Sequence, residues 1–185
     1  MIDEYLQDAR ERMHKSVEAT RTSFGSVRTG RASPTLLDRI VVEYYGTQTP
    51  LKQMATVNAP EARLLTIQPY DKSSMKAIER AIQESDLGLT PNNDGSIIRL
   101  QIPDMTEERR REMVKVARHL AEEGRVAVRN VRRDVMHDLR ELRDAGEIGS
   151  DDEHRGEQAL QKLTDEQIAE IDASLKGKEA EILEV

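Results

Sequence analysis

The sequence has no cysteine, no tryptophan, a single phenylalanine and four tyrosines. Without cysteine there can be no disulfide and no thiolate chemistry, which fits a reducing compartment. With so few aromatic side chains the core must be built from Leu, Ile, Val, Met and Ala, a palette that suits helix packing better than a β-sandwich. No apolar run approaches the roughly 18 to 20 residues that cross a bilayer, and "MIDEYLQDARERM" is charged from residue 3, unlike a secretory leader. A cytoplasmic protein with no membrane partner is expected. The four histidines, His14, His119, His137 and His154, are scattered, and even His119 and His137 on one helix would stand about 27 Å apart. No metal site is therefore expected. "GSVRTGRA" (residues 25 to 32) falls short of a phosphate-binding loop. Arg31 stands where lysine is needed, Ala32 lacks the hydroxyl for magnesium, and a helix precedes it instead of a strand. No Ser–His–Asp arrangement is recognisable, so neither a cofactor nor a catalytic residue is assigned.

What the chain does have is charge and helical period. Of its 185 residues, 34% are charged and 37% apolar, with a net charge of −7. Leu6, Ala9, Met13, Val17, Thr20, Phe24 and Val27 draw one stripe along a first amphipathic helix over residues 3 to 27. Between residues 31 and 104 the character changes. "RIVVEYYG", "ARLLTIQPY" and "SIIRLQIP" read as strands, "LKQMATV" as a weaker one, and "SSMKAIERAIQESDLG" as a short helix capped by Ser73. "TPNNDGS" reads as a turn. From Thr106, a helix cap, a second long helix runs to about residue 143 on Met113, Ala117, Leu120, Gly124, Val128, Val131, Val135, Leu139 and Leu142. At 1.5 Å per residue it is about 55 Å long, so an elongated molecule is expected. "AGEIGS" breaks it, "SDDE" offers a capping box, and a third helix follows on Leu160, Leu163, Gln167, Ile171, Leu175 and Ile182, read as continuous through Thr164.

None of the three long helices can bury its stripe alone. The simplest packing is an antiparallel three-helix bundle (residues 1–29 with 106–185) carrying an inserted small β/α/β domain (30–105), an α+β fold of two domains. The chain crosses between the domains twice, at about 29–33 and 103–106, and two adjacent linkers with Gly and Pro suggest a hinge.

The charge is unevenly placed. Residues 1–105 hold 13 basic and 14 acidic side chains, and residues 144–185 hold 4 and 13. Residues 109–133 reverse this, with 9 basic against 3 acidic. There Arg111, Lys115, Arg118, Arg125, Arg129 and Arg132 fall on one line beside the apolar stripe, interrupted by Glu122; Arg133 lies off the line. One reading is a solvated face neutralised by the acidic third helix. The other is a phosphate-binding edge, because arginine makes bidentate contacts with phosphate that lysine cannot match. Single-strand readers need aromatic platforms, and Tyr44-Tyr45, as strand neighbours, should point to opposite faces. Backbone recognition of a structured RNA fits better.

"RTGRASP", "VVEYYG", "SDLGLTP", "TEERRREMVK" and "EEGRVAVRNVRRD", in this order, together with "KLTD" and "KEAEIL", resemble the signature blocks of the bacterial ribosome recycling factors. The resemblance covers essentially the whole chain. It implies an L-shaped, monomeric translation factor of the cytoplasm, without enzymatic activity. It further implies splitting of the post-termination ribosome with elongation factor G, GTP being used by that partner, and binding to large-subunit ribosomal RNA but not DNA. Arg129 and Arg132 match the family's essential helix arginines, with Arg28 and Arg110 as further candidates and Arg118, Arg125 and Arg133 also counted as RNA-binding. Thr29, Gly30, Arg31, Pro103, Asp104 and Met105 would form the hinge. The alternative from another class is a helical adaptor or co-chaperone that binds a protein through the acidic third helix.

Overall fold

The structure is a computed structural model and describes residues 1–184. In chain order it contains α1 (Ile2–Gly25), a 3-10 turn (Pro34–Leu37), β1 (Val41–Tyr44), β2 (Thr47–Pro50), the single turn α2 (Leu51–Met54), β3 (Ala55–Glu61), β4 (Leu64–Pro69), a second 3-10 turn (Lys72–Ser74), α3 (Met75–Gln83), β5 (Pro91–Asn93), β6 (Ile98–Gln101), α4 (Glu107–Asp144) and α5 (Ser150–Leu183). The chain divides into two compact units: Met1–Phe24 with the chain from Val114 onward, and Gly25–Met113. The divisions lie outside the expected 29/30 and 105/106. Residues 25–33 are tied into the second unit, where Thr35 Oγ1 donates to the Gly25 carbonyl at 3.1 Å and the Ala32 N–H to that of Ala62 at 2.7 Å.

The first unit is a three-helix bundle. Its pairings fix the directions. From Arg118–Glu179 through Arg125–Asp172 to Arg143–Glu153, partners on α5 fall in number as those on α4 rise, so α4 and α5 are antiparallel. Arg12–Asp134 and the approach of Thr20 to Gly124 run α1 antiparallel to α4 as well. Ala9, Met13, Val17, Thr20 and Phe24 of α1 meet Val114, Ala117, Ala121, Gly124, Val128, Val131, Val135 and Leu139 of α4 and Leu160, Leu163, Gln167 and Ile171 of α5 in the core. The stripe of α4 begins one residue later than its period suggests: Val114 and Ala121 are buried, while Met113 and Leu120 are only half-buried. Small side chains win because the helices come close. A Cβ at Gly124 would overlap Thr20 Oγ1 and lie 3.2 Å from both Thr20 Cβ and Ile171 Cδ1.

Local signals set the helix ends, with one correction. Thr106 Oγ1 accepts from the Arg109 N–H at 3.1 Å, as a cap should. Gly146, at φ 75°, closes α4 in a Schellman motif, with Gly146 N–H to Arg143 O and Glu147 N–H to Leu142 O, both 2.9 Å. The expected Ser150–Glu153 capping box does not form. Gly149 takes the cap position without a side-chain bond, and Glu153 is instead buried, its Oε2 accepting from Arg143 Nη1 at 2.7 Å. A carboxylate removed from water needs a cation more than a backbone N–H. Helix α5 is unbroken through Thr164, whose hydroxyl turns back to the Leu160 carbonyl at 2.8 Å.

The second unit holds a β1–β2 hairpin and a four-stranded antiparallel sheet in the order β3-β4-β6-β5. Leu65 opposite Leu100 and Ile67 opposite Ile98 place four buried side chains on one face. Ile78 and Ile82 of α3 join Leu37, Val42 and Leu51 in the same core. Four expectations change here. "LKQM" is a helical turn and only "ATV" onward is strand. Strands β2 and β5 are additional, since TQTP and PNN carry no apolar alternation and are held by pairing alone. Asp71, rather than Ser73, caps the turn before α3, accepting from the Ser73 N–H at 3.0 Å. Tyr45 lies in the hairpin turn at φ 49°, where strand alternation does not apply, so its ring meets Tyr44 edge-on at 4.4 Å between centroids. Tyr44 also donates its hydroxyl to Asp71 Oδ2 at 2.8 Å, which pushes the phenol pKa up to about 12.

Candidate nucleic-acid interface

Helix α4 carries the arginine line beside the face that packs on α5, so several of its members reach across that seam. Arg125 is more enclosed than Arg118 or Arg129, its side chain 20% exposed. It donates through Nε to Asp172 Oδ1 at 2.8 Å, with Nη2 in ion-pair contact with the same oxygen at 2.7 Å, and through Nη1 to Glu122 Oε2 at 3.0 Å. Burial draws its pKa down, but Asp172 and Glu122 outweigh that and leave it above the ordinary arginine value. Arg118 Nε donates to Glu179 Oε1 at 2.8 Å. Further along, Arg140 Nε lies 3.6 Å from Glu157 and Arg143 meets Glu153. Arg129 Nη1 donates to Glu122 Oε1 at 3.3 Å, its single hydrogen-bonding partner among the described residues. Glu122 holds a pKa below the ordinary carboxylate value, chiefly by the hydrogen bond from Arg125 and secondarily by the Arg129 charge.

Arg132 differs from all of these. Its Nη1 donates to the neutral amide oxygen of Gln161 at 2.9 Å. Its Nε is buried with no acceptor, one of two such buried polar side-chain atoms among the described residues. Leaving a buried donor unmade costs about 1–3 kcal/mol, yet no carboxylate is brought to it. Arg133, off the line, donates to Asn130 Oδ1 at 2.9 Å and is likewise uncompensated. A guanidinium held in place but not neutralised keeps its N–H groups and full charge for an external anion such as a phosphate.

The remaining candidates belong to the second unit. Arg28 is half-buried, and burial followed by the nearby Arg109 charge lowers its pKa. Arg110 is half-buried, with its backbone N–H donating to the Thr106 carbonyl at 3.0 Å. The six linker residues are ordered into this unit too. Gly30 sits at φ 82°, and a Cβ there would be 3.9 Å from Met105 Cε. The Arg31 N–H donates to Thr29 Oγ1 at 3.4 Å, Arg63 pairs with Asp104, and Met105, two residues past Pro103, is buried. Among the described residues no three His, Cys, Asp or Glu side chains converge as metal ligands would, and no helix is long and apolar enough to cross a membrane.

The family model of the ribosome recycling factors matches residues 20–183. The chain belongs to the ribosome recycling factor family. A ribosome-recycling factor of Rubrobacter xylanophilus is 62% identical over 180 residues, with 97% of each chain covered. That of Halalkalibacterium halodurans is 55% identical over the full length of both chains. A solution structure of a ribosome recycling factor superposes with a TM-score of 0.79 at 40% identity, covering 100% of this chain and 98% of the other. A T. thermophilus ribosome recycling factor, placed with E. coli elongation factor G on the E. coli post-termination complex, superposes with a TM-score of 0.71 at 45% identity over all of both chains. The helical bundle with an inserted α/β unit is thus the family fold. Family members are translation factors that bind ribosomes, not enzymes, and the adaptor alternative finds no support.

Only part of this site was visible in the sequence. The line of arginines is there, but its members are chemically unlike: Arg118 and Arg125 are committed to α5 carboxylates, while Arg132, like Arg133 off the line, is not. Gln161 and Asp172, which make that difference, carried no signal of their own. The aligned period of an antiparallel partner would have pointed to them.

Proposed function

We propose that this chain works in the cytoplasm with elongation factor G and GTP to split the post-termination ribosome, anchored by α4 on large-subunit ribosomal RNA. The observation that carries the RNA contact is Arg132: an ordered guanidinium that meets only an amide on a helix whose other seam arginines are matched by carboxylates. Arg133 and Arg129 would add phosphate contacts on the bundle, Arg28 and Arg110 would supply contacts from the second unit, and Arg118 and Arg125 would serve the bundle first. The solved relative bound with elongation factor G supports that partnership. Energy for splitting comes from GTP on the partner, so the chain needs no cofactor of its own. The segments around Thr29–Gly30–Arg31 and Pro103–Asp104–Met105 would act as the hinge through which the inserted unit swings.

Polysome breakdown with purified elongation factor G and GTP, with and without the chain, tests the activity. Breakdown should depend on its presence. For the anchor, Arg132→Glu should weaken sedimentation with large subunits about 100-fold and lower the salt slope of binding by one or more. Cosedimentation as strong as the parent's would overturn the anchoring role.

A further inference from the structure

We infer that Gln161 is a positioning residue for ribosome binding: it holds the Arg132 guanidinium in place while leaving its charge uncompensated. The inference rests on the reading of Arg132 as a phosphate contact. Gln161 lies on the exposed side of α5, opposite Arg132, and its amide is used at both ends. Its Oε1 accepts from Arg132 Nη1 at 2.9 Å and its Nε2 donates to Asp165 Oδ1, one turn on, at 2.9 Å. Asp165 can only accept, so it fixes which way the amide points and commits the oxygen to Arg132. A carboxylate therefore orients the arginine through a neutral group instead of pairing with it. At the other arginine crossings of this seam, from Arg118 through Arg125 to Arg140 and Arg143, an acidic residue stands where Gln161 stands here.

The burial of Arg132 Nε sharpens the geometry. With that nitrogen turned into the protein and one Nη1 hydrogen committed to Gln161, the remaining hydrogens are one on Nη1 and two on Nη2. These terminal nitrogens form the end-on fork, which can accept two oxygens of one phosphate. A glutamate in place of Gln161 would instead compete for that fork. Its repulsion from Asp165, four residues along the same helix, would push it further toward Arg132.

The test is a double-mutant cycle on the full chain, with dissociation constants for large ribosomal subunits measured from about 50 to 300 mM salt. Gln161→Glu should weaken binding about tenfold and lower the magnitude of the salt slope by about one, with thermal stability unchanged or raised. Gln161→Leu, which removes the tether but not the charge, should weaken binding about threefold at an unchanged slope. When Arg132→Gln is already present, adding Gln161→Glu should cost less than twofold, because the residue it acts through is gone. If Gln161→Glu binds as the parent does while Arg132→Gln is weak, the positioning role is wrong and the phosphate reading stands. If the two losses multiply, Gln161 acts independently of Arg132 and the inference fails. If Arg132→Gln itself binds like the parent, the phosphate reading falls and this inference with it.

Discussion

Arg125 and Arg132 are two turns apart on one helix, face the same neighbour and differ in their partners. Across the seam Arg125 finds Asp172, with Glu122 behind it, and Arg132 finds Gln161. The same side chain at the same kind of position is thereby given opposite work. Paired with two carboxylates and largely enclosed, Arg125 is part of what holds α4 to α5. Beside an amide, Arg132 contributes a geometry but retains its charge. Basic residues on a helix are thus poor guides to a binding surface until their partners are known, since pairing removes the field that would draw a polyanion. Under the proposed anchoring role, the contrast would also explain how an acidic protein can address RNA. Four acidic residues of α5, Glu153, Glu157, Asp172 and Glu179, meet α4 arginines along the seam, and an amide stands opposite Arg132.

The strongest way to probe the structural half is Gly124, which lies in the paired stretch. Gly124→Val would drive a branched side chain into Thr20 and Ile171, and overpacking of this kind should lower stability by about 3 kcal/mol in urea unfolding. Thr20→Ala in the same chain should restore part of it, because Thr20 supplies the nearest atoms. The folded fraction should keep the parent's salt slope for ribosomes, since no phosphate-facing residue is touched. A changed slope would mean that the two halves of α4 are not separable.

Arg125→Met is the direct contrast to the loss of Arg132. The stem packs as before, but Asp172 and Glu122 lose their cation, so stability should fall by about 1 kcal/mol. Affinity for large subunits should change less than twofold. Should binding instead fall as far as in Arg132→Gln, the carboxylates around Arg125 are exchanged for phosphate on the ribosome, and the division drawn between the two arginines disappears.

The bundle was largely readable because its signals are local. Val128, Val131, Val135 and Leu139 keep a helical period, Thr106 offers a hydroxyl at the right place, and Gly146 suits the left-handed turn that closes α4. What could not be read depends on a second element. The shift from Leu120 to Ala121 in the core follows from how near α1 and α5 come, a tertiary fact. Glu153 looked like a cap and became the buried half of an ion pair because Arg143, itself exposed, lies across the loop. Strands β2 and β5 have no apolar face, so nothing in TQTP or PNN distinguishes pairing from a loop. The same limit applied to the site: the type and line of the arginines were evident, whereas the partner of each is set by the register of an antiparallel helix beginning at residue 150.

Glu122 gives the finest test of the comparison, because it is the one acidic residue within the line. It holds both Arg125 and Arg129, and its depressed pKa has a definite consequence. A carboxylate with a folded value below its unfolded one stabilises the fold at pH above the unfolded value, and that contribution is lost as pH falls through the folded value. At neutral pH Glu122 is therefore fully charged, and Glu122→Gln imitates a state the parent reaches only in acid. The difference in melting temperature between parent and variant should be present at pH 7 and vanish as pH is lowered past the depressed carboxylate value. Arg129, with no other partner among the described residues, loses its counter-charge in the variant, while Arg125 keeps Asp172. Affinity for large subunits at low salt should then rise about twofold, with a steeper salt slope. Weaker binding would carry the opposite lesson: that Arg129 works only while a carboxylate holds it and that an amide is no substitute there.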